Sequence, residues 1–169
     1  MANTYHQRRN EIEHYFDRTA AQAWSRLTSD APVSGIRATV RAGRDRMRQT
    51  LLGFLPSDLR GCRLLDAGCG TGALAVEAAR RGADVVAIDL SPTLVKLAQE
   101  RLPATLGPGR ITFRAGDMLD PSLGRFDHVV AMDSVIHYNL PDMVNILARL
   151  SAMSDSGVHF TYAPRTPAL

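Results

Sequence analysis

Leu64-Leu65-Asp66-Ala67-Gly68-Cys69-Gly70-Thr71-Gly72 is an apolar run that breaks into glycine at every second position. The run Arg63–Ala67 reads as a short buried strand, and Ala73–Arg81, with Gly82 as its stop, reads as a helix. Strand, glycine turn and helix in that order make the first unit of an alternating α/β chain. Glycine tolerates positive φ and lets a ligand approach the backbone with no Cβ in the way. In a doubly wound sheet, ligands bind at the carboxyl ends of the strands, so this turn marks the expected site.

The alternation continues downstream. Val85–Asp89 is the second strand, and Ser91-Pro92 supplies an N-cap and first-turn proline for a helix through Leu102. Arg110–Arg114 and Phe126–Met132 come next as strands. Asn139-Leu140-Pro141 opens a helix to about Met153, and Val158–Tyr162 is the fifth strand. Single helices between strands imply parallel pairing with right-handed crossovers, hence an α/β, doubly wound, mostly parallel sheet.

Upstream lie two helices. In Tyr5–Leu27 the apolar residues Ile12, Phe16, Ala20, Ala23 or Trp24, and Leu27 form one helical stripe. Pro32, Ser34 and Gly35 break it, with Ser34 as N-cap of the next segment. Ile36–Leu55 carries Ile36, Val40, Met47, Leu51 and Phe54 or Leu55 on an apolar face. Arg37, Arg41, Arg44 and Arg48 share a second face, which reads either as solvated or as anion-binding. Pro56-Ser57-Asp58 ends the segment. Residues 1–60 are therefore a helical extension covering the sheet within one domain, and residues 61–169 are the α/β core.

Composition narrows the class. At 169 residues and 18.4 kDa the chain is about one domain, large enough for a core without disulfides. Its 45% hydrophobic and 22% charged residues exclude a largely disordered or fibrous protein. No apolar run suggests a membrane span, and Met1–Asn10 is too polar for a signal peptide. Cys62 and Cys69 lack metal-like spacing and read as reduced, cytoplasmic thiols, so no metal site is expected. Residues 1–60 hold ten Lys+Arg against six Asp+Glu, and residues 61–169 hold ten against eleven. That modest basic excess, with no long basic run, does not point to nucleic acid.

Two cofactor classes compete for the turn. Gly68, Gly70 and Ala73 satisfy the dinucleotide fingerprint, which would make a nicotinamide or flavin enzyme. Asp66 opposes it, because its carboxylate would face a pyrophosphate with like charge. It suits instead a zwitterion whose ammonium lies over the turn, as in S-adenosylmethionine. Asp89, ending the second strand, is placed for ribose hydroxyls in either class. Asp117 and Met118, after the third strand, offer a carboxylate for an adenine amino group and a soft apolar contact for the ring.

On Asp66–Gly72, Asp89 and Asp117 the chain resembles the class I S-adenosylmethionine-dependent methyltransferases, over Cys62 to about Tyr162. The resemblance implies a cofactor site of Asp66, Gly68, Cys69, Gly70, Gly72, Asp89, Leu90, Asp117, Met118 and Met132. It also implies seven strands, the last two an antiparallel hairpin. Here the fifth strand runs into Ala163-Pro164-Arg165-Thr166-Pro167-Ala168-Leu169, which reads as a mid-chain loop. The expectation is a chain incomplete at its C-terminus, with the fifth strand an exposed edge and part of the acceptor pocket absent.

The segment after strand four narrows the acceptor. Ala131–Tyr138 lacks the Asp/Asn-Pro-Pro-aromatic motif of amine and amide methylation, and no Pro-Cys nucleophile is present. Oxygen or carbon acceptors on small molecules remain. Tyr15-Phe16-Asp17-Arg18-Thr19, Trp24-Ser25-Arg26-Leu27, Ile36-Arg37, Arg41-Ala42-Gly43-Arg44 and Asp133–Tyr138 resemble the magnesium-protoporphyrin IX methyltransferases of (bacterio)chlorophyll biosynthesis. That resemblance implies a photosynthesis enzyme esterifying one porphyrin propionate to the monomethyl ester, with S-adenosylhomocysteine as the other product. It further implies the large porphyrin-carrying subunit of magnesium chelatase as a partner and a cytoplasmic protein, peripheral to photosynthetic membranes. His137 and Tyr15 are the catalytic candidates; Arg37, Arg41 and Arg44 are candidates for propionate binding, since arginine forks suit carboxylates. His14 reads as surface. The alternatives kept open are a methyltransferase for another small acid or hydroxyl, an NAD-dependent oxidoreductase, and a non-catalytic binding module.

Overall fold

A computed structural model of the chain describes residues 2–29, 31–32 and 34–163. The N-terminal segment is one continuous helical rod: α1 (Ala2–His14), a π-helical stretch (Tyr15–Ala20) and α2 (Ala21–Leu27). Then come α3 (Ile36–Gly53), β1 (Arg63–Ala67), α4 (Ala73–Arg80), β2 (Asp84–Asp89) and α5 (Pro92–Glu100). The remaining elements are β3 (Arg110–Ala115), β4 (Phe126–Ala131), α6 (Leu140–Ala152) and β5 (Ser154–Phe160). The five strands pair entirely in parallel, in the order β3-β2-β1-β4-β5. Strand order reverses between β1 and β4, so the crevice above their carboxyl ends is the natural ligand position.

Both faces of the central strands are buried, which is why they read as unbroken apolar runs. Side chains alternate between two cores. Leu65, Val86, Val129 and Ala131 face Ile146 and Leu150 of α6, while Leu64, Val85, Ala87 and Val130 face Leu74, Ala75 and Ala78 of α4. Leu51, Leu52 and Leu55 join the second core from the end of α3. Each fully buried Leu or Ile contributes roughly 2 kcal/mol, so these two layers hold the sheet that carries the site.

The helix starts are set by caps. Ser91 Oγ accepts from Leu94 N–H at 3.2 Å, and Asn139 Oδ1 from Asp142 N–H at 2.9 Å, as the sequence predicts. Ser34 does not cap α3: Gly35 holds that position with φ 59°, a backbone state that glycine adopts without strain. β5 also departs from expectation, beginning at Ser154 and not Val158. Ser154-Asp155-Ser156-Gly157 has turn composition, yet it pairs with β4 through a register shift between Phe126 and His128. Ser154 Oγ accepts from Gly157 N–H at 3.0 Å and bridges the irregularity. The loop reading of residues 164–169 lies outside the described residues. Among the described residues no helix is long and apolar enough to cross a membrane.

The largest correction concerns α3. The expected apolar face fails in its first half, at Ile36, 83% exposed, and at Val40, and holds in its second, at Met47, Leu51 and Leu55, with Leu55 and not Phe54 the inward residue. The face turned inward instead carries Arg41, Arg44 and Arg48 near its start and Leu51, Leu52 and Leu55 near its end. The leucines pack on the sheet. One to two turns earlier the same face passes beyond the strand ends and meets a cavity, where cations replace carbons.

Candidate active site

The glycine turn is fixed by backbone bonds before any ligand is considered. Gly68 N–H and Cys69 N–H both donate to the Ile88 carbonyl, at 2.8 and 2.9 Å, tying the turn to β2. Gly68 has φ 84°, and a Cβ there would lie 2.3 Å from Ser134 Cβ. Ser134 is held against β1 by its hydroxyl, which donates to the Ala67 carbonyl at 2.7 Å. At Gly72 a Cβ would meet the Phe113 ring and Ala98, so this glycine seats the start of α4 against β3 and α5. Of the expected cofactor set, Gly72 is not itself among the residues that line the cavity, although its neighbours Thr71 and Ala73 are.

Above the turn lies a cavity of about 310 Å³. Its walls include Asp66, Gly68, Cys69, Gly70, Asp89, Leu90, Asp117, Met118 and Met132, bringing together the rest of that set. Asp66 is 1% exposed, and its Oδ2 has no hydrogen-bond partner. Burial, with the Asp89 carboxylate nearby, pushes Asp66 up to about 7. Asp89 is raised by burial too, but Gly70 N–H and Ser91 N–H donate to its two oxygens at 2.8 and 2.9 Å. Each oxygen keeps a lone pair directed elsewhere, as two adjacent hydroxyls of a ligand require. A buried carboxylate with one orphaned oxygen, a second carboxylate with spare acceptors and a Met118 wall fit a cationic adenosine derivative.

The helical rod roofs this cavity through polar ties. Tyr5 Oη donates to Asp117 Oδ1 at 2.7 Å, Leu119 N–H to the same oxygen at 2.8 Å, and Arg9 to Oδ2 at 3.2 Å. Burial and this bond raise the Tyr5 phenol, and burial pushes the stacked Tyr138 up to about 12. Asp17 accepts from Thr93 N–H and Ser91 Oγ, both at 3.0 Å, joining the π-helical stretch to the start of α5. Those bonds hold the Asp17 carboxyl below the usual range. Phe16 and Trp24 line the cavity from above.

His137 reaches the cavity where expected, from the turn after β4, and its ring packs edge-on against Phe16. Burial is the main reason its pKa falls below the ordinary histidine value, so the ring is neutral at pH 7. Tyr15 does not reach it. Neighbouring residues of the helical rod point in different directions, so with Phe16 turned inward Tyr15 faces solvent and is 54% exposed. His14 is exposed, as expected.

Of the arginine row, Arg41 and Arg44 line the cavity and Arg37 is exposed. Arg41 is committed to the carbonyls of Leu27, Arg26 and Ala31. Arg44 pairs with Asp133, with its guanidinium carbon 4.3 Å from the centre of the Trp24 ring. Asp133 is a member of the site that sequence reasoning misses. Its φ of 54° is the one positive value at a non-glycine among the described residues. Thr161 Oγ1 accepts from its N–H at 2.7 Å and holds that conformation. Strain at the end of β4, facing the cavity, is a common mark of function. Trp24, the chain's single tryptophan, is a second signal present in the sequence.

A parallel sheet ordered 3-2-1-4-5, with its glycine turn and acidic strand ends, defines the class I methyltransferase fold. Residues 64–157 match the family model described as a methyltransferase domain. The chain is 56% identical to a magnesium-protoporphyrin O-methyltransferase of Rhodobacter capsulatus, over 98% of this chain and 74% of that one. It is 30% identical to the chloroplastic magnesium protoporphyrin IX methyltransferase of Arabidopsis thaliana, covering 92% of this chain and 51% of that one. The crystal structure of magnesium protoporphyrin IX methyltransferase from Synechocystis PCC 6803 with bound SAH superposes with a TM-score of 0.87. That match has 28% identity and covers 96% of this chain and 75% of that one. The chain belongs to the magnesium-protoporphyrin O-methyltransferase family. Membership removes the oxidoreductase alternative.

Proposed function

We propose that this chain transfers the methyl group of S-adenosylmethionine to one propionate of magnesium protoporphyrin IX, giving the monomethyl ester. The observation that carries the reading is one cavity of two signs. Asp66, with its orphaned oxygen, and Asp89 line one part, and Arg41, Arg44 and Arg48, the last two paired with Asp133 and Asp45, line another. A cationic methyl donor and an anionic acceptor suit these respective walls. When bound, S-adenosylmethionine supplies a sulfonium methyl; as a carboxylate oxygen bonds to that carbon, the carbon–sulfur pair returns to sulfur.

A propionate, with a pKa of about 4–5, is already ionised at neutral pH, so no strong general base is needed. The protein's work is alignment and exclusion of water. Asp66 meets the donor's ammonium, Asp89 the ribose hydroxyls, and Asp117 and Met118 the adenine. Gly68, Cys69, Gly70, Leu90 and Met132 shape the surrounding wall. Neutral His137 orients the acceptor carboxylate as a hydrogen-bond donor, and Arg44 screens it from Asp133. The same reading has the large subunit of magnesium chelatase hand over the porphyrin at a photosynthetic membrane surface.

The test is incubation with methyl-labelled S-adenosylmethionine and magnesium protoporphyrin. Label is expected in a porphyrin monoester, and His137→Ala lowers that rate about tenfold or more while S-adenosylhomocysteine binding persists. Label in no porphyrin would overturn the proposal.

A further inference from the structure

The arginine row of α3 is used unevenly. Arg41 is spent on carbonyls, Arg44 on Asp133 and Arg48 on Asp45. Arg37 stands on the same helical face, one turn before Arg41, exposed and with no hydrogen-bond or ion-pair partner among the described residues. Beside it Ile36 is 83% and Val40 43% exposed, two apolar side chains one turn apart. This cation, unpaired among the described residues and flanked by bare apolar carbon, stands one helical turn beyond Arg41, which lines the cavity together with Arg44 and Arg48. Seven residues, about 10 Å of helix axis, separate Arg37 from Arg44.

Resting on the porphyrin reading above, we propose that Arg37, Ile36 and Val40 form a subsite for the second, non-reacting propionate and the macrocycle edge beside it. The substrate carries two carboxylates on a planar apolar body, so one occupant satisfies both the cation and the exposed carbon. While one propionate enters beside His137, the other is held bidentately by Arg37 at the rim. This makes recognition a two-point affair and explains a stop at the monoester. To react again, the product must turn over, which sets its uncharged ester against Arg37.

The experiment is a Soret-band titration of the purified chain with magnesium protoporphyrin and, separately, with its dimethyl ester, in wild type and Arg37→Gln. Arg37→Gln is expected to weaken binding of the diacid about tenfold and that of the dimethyl ester not at all. Unchanged S-adenosylhomocysteine affinity reports an intact fold. Equal affinities of both proteins for the diacid, or equal losses for diacid and diester, would overturn the subsite. So would a second ester formed by wild type as fast as the first. No Soret change with wild type and either porphyrin would instead bring down the substrate reading itself.

Discussion

Among the described residues, Asp66 is the carboxylate that folding leaves buried with an unpartnered oxygen. Its carboxylate is buried, lacks a partner at Oδ2 and has a pKa of about 7, well above the ordinary aspartate value of about 3.9. The folded chain therefore holds a proton that the unfolded chain has lost. The associated stability is present below about pH 4 and is lost as pH rises through 7. A cation over the turn reverses the preference, so binding releases a proton and donor affinity rises with pH through about 7. Asp66→Asn separates these effects. At pH 8 the unliganded variant is expected to melt several degrees above wild type, since about 1 kcal/mol moves a domain of this size by 2–4 °C. Its S-adenosylmethionine affinity, measured by calorimetry, should fall about tenfold and lose its pH dependence. A variant that binds as tightly as wild type at pH 8 would deny Asp66 this role. The residues of the turn are legible in the sequence because glycine spacing and strand-end acids are local signals. Asp133 is not, since a left-handed aspartate is specified by Thr161 and Arg44, far away in sequence.

At the scale of elements, α3 shows where pattern reading succeeds and fails. Its span is readable from the break at residues 32–35 and from Pro56, but its apolar periodicity holds only in the second half, at Met47, Leu51 and Leu55, and fails at Ile36 and Val40. Periodicity finds apolar stripes, and here half of the inward stripe is half-buried arginine because it borders a cavity rather than a core. Arg41 illustrates the consequence. Its guanidinium donates at 2.6–3.0 Å to three carbonyls of residues 26, 27 and 31, closing the C-terminal end of α2. Arg41→Ala is expected to cost about 1–3 kcal/mol and to speed hydrogen exchange in residues 21–29, while the sheet amides stay protected. Uniform loss of protection across the sheet would show that Arg41 serves the core instead. The start of β5 is hidden for a related reason. Ser154-Asp155-Ser156-Gly157 carries turn residues, yet β4 supplies a paired edge that overrides their local preference.

Across the whole molecule, the parallel sheet is legible directly in alternating apolar runs and helix caps. The helical cover is expected from the sequence but its ties are not legible there, because Tyr5, Arg9 and Asp17 reach partners 74 to 112 residues away through polar contacts with no periodic signature. Those contacts make the roof and the donor site share carboxylates, so a bound ligand stabilises both together. S-adenosylhomocysteine at a hundredfold its Kd is expected to add about 2.7 kcal/mol, raising the melting temperature by roughly 5–10 °C. NAD at the same concentration should leave it unchanged, and a larger NAD shift would reopen the dinucleotide reading.

The division of labour along α3 has an outcome for engineering. Leucines 51, 52 and 55 anchor one end of that helix, and the strand ends that line the cavity lie on other segments. On the proposed function, much of the acceptor wall is concentrated in three turns of one interchangeable cylinder. Transplanting residues 36–48 between related chains should carry acceptor preference with it and leave the donor chemistry behind.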